Sequence, residues 1–190
     1  MGLGNPGAAY AVSRHNAGFM AVETLADRWR IVLAEDATVC AGQGVIAGQP
    51  AMLLAPQTFM NRSGDVLAET APDADDTLVV VHDDLDIPAG QLRVRPRGGS
   101  GGHRGVESIT ARIGGDFIRV RVGVGRPPAG VETADYVLAP LSSAERDVLR
   151  ATVGRACDAV ECLVVHGVDV TMNRFNSGVS SGEPSQTTKE

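Results

Sequence analysis

Lysine is almost missing from this chain: of 17 basic residues, every one but Lys189 is an arginine. Aromatic residues are scarce as well, with four phenylalanines, two tyrosines and one tryptophan, so an aliphatic core is expected. Three cysteines, Cys40, Cys157 and Cys162, are too few and too unevenly spaced for a disulfide framework or a metal-ligand motif. Reduced, mostly buried thiols are expected. No apolar run approaches the roughly 18 residues of a membrane span, and the start of the chain lacks a charged-then-apolar signal pattern. These absences point to a cytoplasmic protein without membrane contact.

What remains suits one α/β domain. The chain has 190 residues, 43% of them apolar, and 23 glycines, enough for a full core with many turns. A net charge of −6 argues against a polyanionic partner, but its distribution argues for one. Residues 93–126 carry eight arginines against Glu107 and Asp116, a local balance of +6 that leaves −12 elsewhere. Basic residues clustered beside a glycine-rich loop favour phosphate contact.

The elements alternate. Asn16 stands where it can cap a helix carrying Phe19, Val22, Leu25, Ala26 and Trp29 at helical spacing. Strands are predicted over 39–46 and 51–54, linked by Gly48-Gln49-Pro50, with a short helix after residues 61–64. A buried-type strand from Leu78 runs through three valines into His82, Asp83 and Asp84. An alternating segment over 91–95, a helix near 102–113 and a strand over 117–124 come next. Ser142-Ser143-Ala144-Glu145 is a capping box for a long helix that should stop near His166-Gly167. Residues 1–176 form the expected domain, and 177–190 read as a disordered tail.

Three polar segments carry the chemistry. Gly2-Leu3-Gly4-Asn5-Pro6-Gly7 fits G-x-G-x-x-G, but a dinucleotide site needs a strand before it and a helix directly after it, and neither is present. Ser13-Arg14-His15-Asn16 places a histidine just ahead of a helix, and Thr58-Phe59-Met60-Asn61 places an asparagine in a loop. If the sheet is parallel, the loops after its strands converge on one edge, where Asn5, His15, Asn61 and Asp83 can meet. An imidazole held by a carboxylate can deprotonate water, and asparagine amides can bind a carbonyl that becomes an oxyanion. That is a hydrolase set using neither metal nor covalent nucleophile, since no Gly-x-Ser-x-Gly elbow is present.

GLGNPG, the tyrosine and RHNAG of AYAVSRHNAG, FMNRSG, HDDLDIPAGQLRVRPRGGSGGHRG, RVRVGVGRP and the late NRFN together resemble the bacterial peptidyl-tRNA hydrolases, in family order over residues 2–176. The resemblance implies a monomeric α/β fold with a mixed, mostly parallel sheet surrounded by helices. It implies a cofactor-free and metal-free esterase that cuts the bond between a peptide and its tRNA. His15 would be the base and Asp83 its orienting acid. Tyr10, Asn5, Asn61, Phe59, His103 and Arg104 would line the substrate site, while Arg93, Arg95 and Arg121 would meet tRNA phosphates near the acceptor end.

Two departures from the family pattern stand out. Arg104 occupies a position where the family usually has asparagine, and a guanidinium cannot accept a hydrogen bond. An RNA-binding relative with little hydrolysis is therefore the alternative expectation. The family also opens with an apolar strand leading into Gly-Leu-Gly-Asn, of which only Met1 is present, so the natural chain is expected to start upstream.

Overall fold

The computed structural model describes residues 1–70 and 76–177. Apart from Ser177, the expected tail lies outside the described residues. Among the described residues, six strands form two three-stranded sheets. In the first, β1 (Ala34–Glu35), β2 (Val39–Ile46) and β3 (Gln49–Pro56) are antiparallel. In the second, β4 (Val79–Asp84) pairs in parallel with β6 (Ile118–Gly123), which pairs antiparallel with β5 (Leu92–Arg95). The α/β class and mixed pairing are as expected, but the pairing is not mostly parallel. Among the described strands β4 and β6 pair in parallel, whereas β1–β2, β2–β3 and β5–β6 are antiparallel. The links of two or three residues in the first sheet are too short for anything but hairpins.

Residues 1–3 lie between the two sheets. Gly2 N–H donates to Leu54 O at 2.8 Å on one side, and Leu3 N–H donates to Val81 O at 2.9 Å on the other. Helix α1 (Ala17–Trp29) packs directly on this segment, glycine against glycine. A Cβ on Gly18 would stand 2.2 Å from Leu3 N and 2.3 Å from Val81 O, and one on Gly2 would stand 2.0 Å from Gly18 O. The first turn of α1 is thus set down on the backbone of β4, a placement only glycine permits.

Other local outcomes come from turn and cap chemistry. The β2–β3 hairpin turns at Ala47-Gly48, both at positive φ (49° and 85°), as a two-residue loop of the primed type requires. Gln49 and Pro50, expected in the link, instead pair with Ile46 and Val45. The capping box at Ser142 and Glu145 is present and starts helix α5 (Ser143–Phe175). That helix does not stop at His166-Gly167: it kinks at Gly167 (φ 76°) and resumes. The resumed turns pack Val168, Met172 and Phe175 on the core, and the Asn176 amide bonds both backbone groups of Val94 on β5. A short helix α2 (Val66–Glu69) comes after a 3₁₀ turn at Met60–Arg62, helix α3 spans Arg104–Ile113, and helix α4 (Thr133–Leu138) went unanticipated in the sequence.

Candidate active site

A cleft of about 620 Å³ opens at the C-terminal end of β4. Among its lining residues are Asn5, His15, Phe59, Asn61, Asp83, His103 and Arg104, drawn from separate stretches of sequence. Tyr10, an exposed turn residue, is not among those lining the cleft.

His15 sits in a 3₁₀ turn, Arg14–Asn16, where successive side chains diverge widely around the axis. Its two neighbours anchor that turn. The Arg14 guanidinium lies 4.0 Å over the Tyr136 ring, donates to Tyr136 O at 3.1 Å and pairs with Glu145. Asn16, expected as a helix cap, makes no capping bond; its amide accepts from Asn5 N and donates to Asn5 O, both at 2.9 Å. With the Asn5 backbone clamped in this way, its side chain is left to line the cleft. His15 alone of the three meets Asp83, its Nδ1 standing 2.9 Å from Oδ1.

Asp83 is buried, and the same oxygen takes a second histidine: His103 Nε2 stands at 3.0 Å. Burial opposes the charge on Asp83. The electrostatic attraction and hydrogen bond of His103, together with those of His15, outweigh it and hold the carboxyl well below the usual carboxylate range. Asp83 is therefore the acceptor in both bonds, and His15 carries its proton on Nδ1. In the neutral ring the opposite nitrogen, Nε2, then carries the lone pair.

His103 is the N-cap of α3, where its Nδ1 accepts from the backbone N–H groups of Gly105 (3.2 Å) and Val106 (3.4 Å). Ligand-type atoms of His15, Asp83 and His103 lie within 4.8 Å of one another. They do not make a cation site in this arrangement. Because Nδ1 of His103 is accepting, its proton is on Nε2, and the lone pair a metal ion needs there is absent. The third histidine, His82, is buried edge-on to His103 at 4.9 Å between ring centroids, with Nδ1 donating to Asp83 O at 2.7 Å. Burial, above all, pushes its pKa down to about 3.

A profile of the family described as Peptidyl-tRNA hydrolase matches residues 1–184. The chain belongs to the peptidyl-tRNA hydrolase family. A peptidyl-tRNA hydrolase of Rubrobacter xylanophilus is 46% identical over 93% of the chain and 99% of its own length. One of Fervidobacterium nodosum is 40% identical, over 96% and 98%. The crystal structure of peptidyl-tRNA hydrolase from Acinetobacter baumannii superposes with a TM-score of 0.86 at 38% identity, covering 93% of this chain and 92% of that one. The single α/β domain and its mixed sheet are those of the peptidyl-tRNA hydrolases.

The arginines expected at phosphates of a peptidyl-tRNA fall into two groups. Arg93 and Arg95 alternate with buried Leu92 and Val94 on β5 and are exposed, whereas Arg121, half-buried on β6, gives its Nε to Asp84 at 2.6 Å. None of the three lines the cleft. Arg104 is the first residue of α3, exposed at the cleft wall, and its side chain makes no hydrogen bond or ion pair with other described residues. Arg14, Asn16 and helix α4 were missed as parts of the site. The run of three polar residues before α1 was the available signal for the first two.

Proposed function

We propose that this protein hydrolyses the ester joining a peptide to the terminal ribose of a tRNA, releasing free tRNA and peptide. The observation that carries the reading is the 2.9 Å contact between His15 Nδ1 and Asp83 Oδ1 at the floor of a cleft lined by two asparagines. With Nδ1–H held by the carboxylate, Nε2 of His15 is free to take a proton from water. The hydroxyl adds to the ester carbonyl carbon, the carbonyl oxygen becomes an oxyanion, and the amides of Asn5 and Asn61 donate to it or to the peptide backbone. The bond to the ribose oxygen then breaks, and that oxygen takes the proton back from Nε2. Asp83 keeps its charge throughout, holding the ring and stabilising the transient imidazolium.

His103 and Phe59 form cleft walls in this reading, with Tyr10 at its margin. Arg93 and Arg95 meet phosphates of the acceptor region, Arg121 stands opposite Arg93 with its charge offset by Asp84 and supports that surface, and Arg104 reaches a phosphate or the ester end of the substrate. No cofactor takes part. The protein acts as a cytoplasmic monomer. Among the described residues no helix is long and apolar enough to cross a membrane. An RNA binder with little hydrolysis gains no support, since an oriented histidine base has no use in binding alone.

The test is release of tRNA from a purified peptidyl-tRNA by the protein and by His15→Ala. Turnover should fall by about 10² to 10⁴ in the variant. Undiminished turnover would end the assignment of His15 as base.

A further inference from the structure

His103 sits in the cleft, but its hydrogen bonds belong to a different task. One ring nitrogen faces the start of α3, where the first backbone N–H groups of a helix have no partners within it. Nδ1 accepts from two of them, Gly105 and Val106. A neutral imidazole has one N–H and one lone pair, so this contact places the hydrogen on Nε2. A proton on Nδ1 would point at two N–H groups and at the positive end of the helix. Nε2–H is then left with one acceptor, Asp83 Oδ1 at 3.0 Å. The ring is largely buried, which limits replacement of that acceptor by water.

We infer that His103 is a positioning residue whose tautomer is set by helix α3, making it a permanent donor that holds Asp83 for His15. The inference rests on the reading of His15 as the base. Asp83 alone can rotate about its side-chain bonds. With His103 anchored at the helix end and donating to Oδ1, the oxygen that orients His15 is fixed in place. The same arrangement keeps His103 from acting as a competing base, because its free lone pair is already used by the helix. His82 packs edge-on against His103, and His15 lies tilted against it at 4.9 Å, so the ring is boxed in from two elements.

Two substitutions separate the two halves of the imidazole. His103→Asn keeps an acceptor where Nδ1 stands, suitable for the helix cap, but is too short to donate to Asp83. His103→Gln carries an amide N–H at the reach of Nε2 but places no acceptor at Nδ1. The expected result is a crossed pattern. The asparagine variant melts close to the parent yet loses on the order of tenfold to a hundredfold in kcat with little change in KM. The glutamine variant melts lower and hydrolyses faster than the asparagine variant. Nitrogen-15 NMR of the unsubstituted protein, which needs no variant to fold, should show His103 as the Nε2–H tautomer near neutral pH.

An Nδ1–H signal from His103, an asparagine variant as fast as the parent, or a glutamine variant no faster than the asparagine one would each overturn the inference. Failure of the underlying reading looks different. Full turnover by His15→Ala would remove the base that His103 serves, while leaving the NMR tautomer unchanged.

Discussion

Replacing Asp83 by asparagine preserves shape and removes charge, and the surrounding donors determine the outcome. Oδ1 now receives two N–H donors, from His15 at 2.9 Å and His103 at 3.0 Å. An asparagine side chain has one oxygen and one NH₂. His103 cannot give up its Nε2 hydrogen without placing it on Nδ1 against the N–H groups of Gly105 and Val106, so the oxygen stays with His103. If the NH₂ meets His15, the ring must turn its tautomer around, moving its hydrogen to Nε2 and losing the lone pair that faces the cleft. If both rings share the oxygen, the imidazolium loses its counter-charge. On either course kcat should fall by about 10² to 10⁴, or roughly 3–5 kcal/mol of barrier. Bonds to a charged acceptor exceed neutral ones by about 1 kcal/mol each, so a stability loss of about 2 kcal/mol is expected, reduced by relief of the buried charge. Single-turnover release of tRNA at about pH 7, with urea denaturation beside it, measures both quantities. A variant within about threefold of the parent rate would refute the reasoning, because general-base assistance of the stated size cannot be hidden in that margin.

His82, with a folded pKa pushed down to about 3 against about 6.5 when unfolded, binds its proton in the unfolded chain first. Its contribution to stability is present above about pH 6.5 and is lost as pH falls towards about 3, at up to about 1.4 kcal/mol per pH unit; urea midpoints of the parent and His82→Leu between about pH 7 and 4 should show the steeper decline in the parent. Gly18→Ala drives a Cβ to within 2.3 Å of backbone atoms of Leu3 and Val81, and a loss of about 3 kcal/mol or more is expected by thermal or urea melting. Arg93→Ala with Arg95→Ala should weaken tRNA binding and lower the slope of log affinity against log salt by about 1 to 2, while His15→Ala leaves that slope alone. Arg104→Asn should change stability by less than about 0.5 kcal/mol, since the exposed side chain bonds to no other described residue, and should raise KM for peptidyl-tRNA more than it lowers kcat.

Residues whose roles depend on local pattern were legible from the sequence alone. The apolar run into His82, Asp83 and Asp84 is β4, the alternation of Leu92 to Arg95 is β5, and Ser142 with Glu145 is a capping box. The meeting of Asn5, His15, Asn61 and Asp83 was reached on the premise of a parallel sheet, which holds only where residue 2, β4 and β6 lie side by side. Roles set by long-range partners were not legible. Asn16 has the residue type and position of a helix cap, yet Asn5, 11 residues away, claims both ends of its amide. The pattern around His166-Gly167 signals a stop, but the packing of Met172 and Phe175 beyond it outweighs one non-helical glycine. The distinction between Arg121, committed to Asp84, and the exposed Arg93 and Arg95 depends on strand register, which local sequence does not encode.

The turn that carries His15 is held from two directions by partners far along the chain. His15 finds Asp83 68 residues away, and Arg14 finds Tyr136 and Glu145 at separations of 122 and 131. Contacts of such span close only after the intervening chain has been ordered, and their entropic cost is met late. A chain with its helices formed but α4, α5 and β4 not yet gathered around that turn has a histidine and an aspartate, but no base. Hydrolysis should therefore return after helical circular dichroism in refolding, and catalytic activity in this protein reports completed tertiary assembly rather than secondary structure.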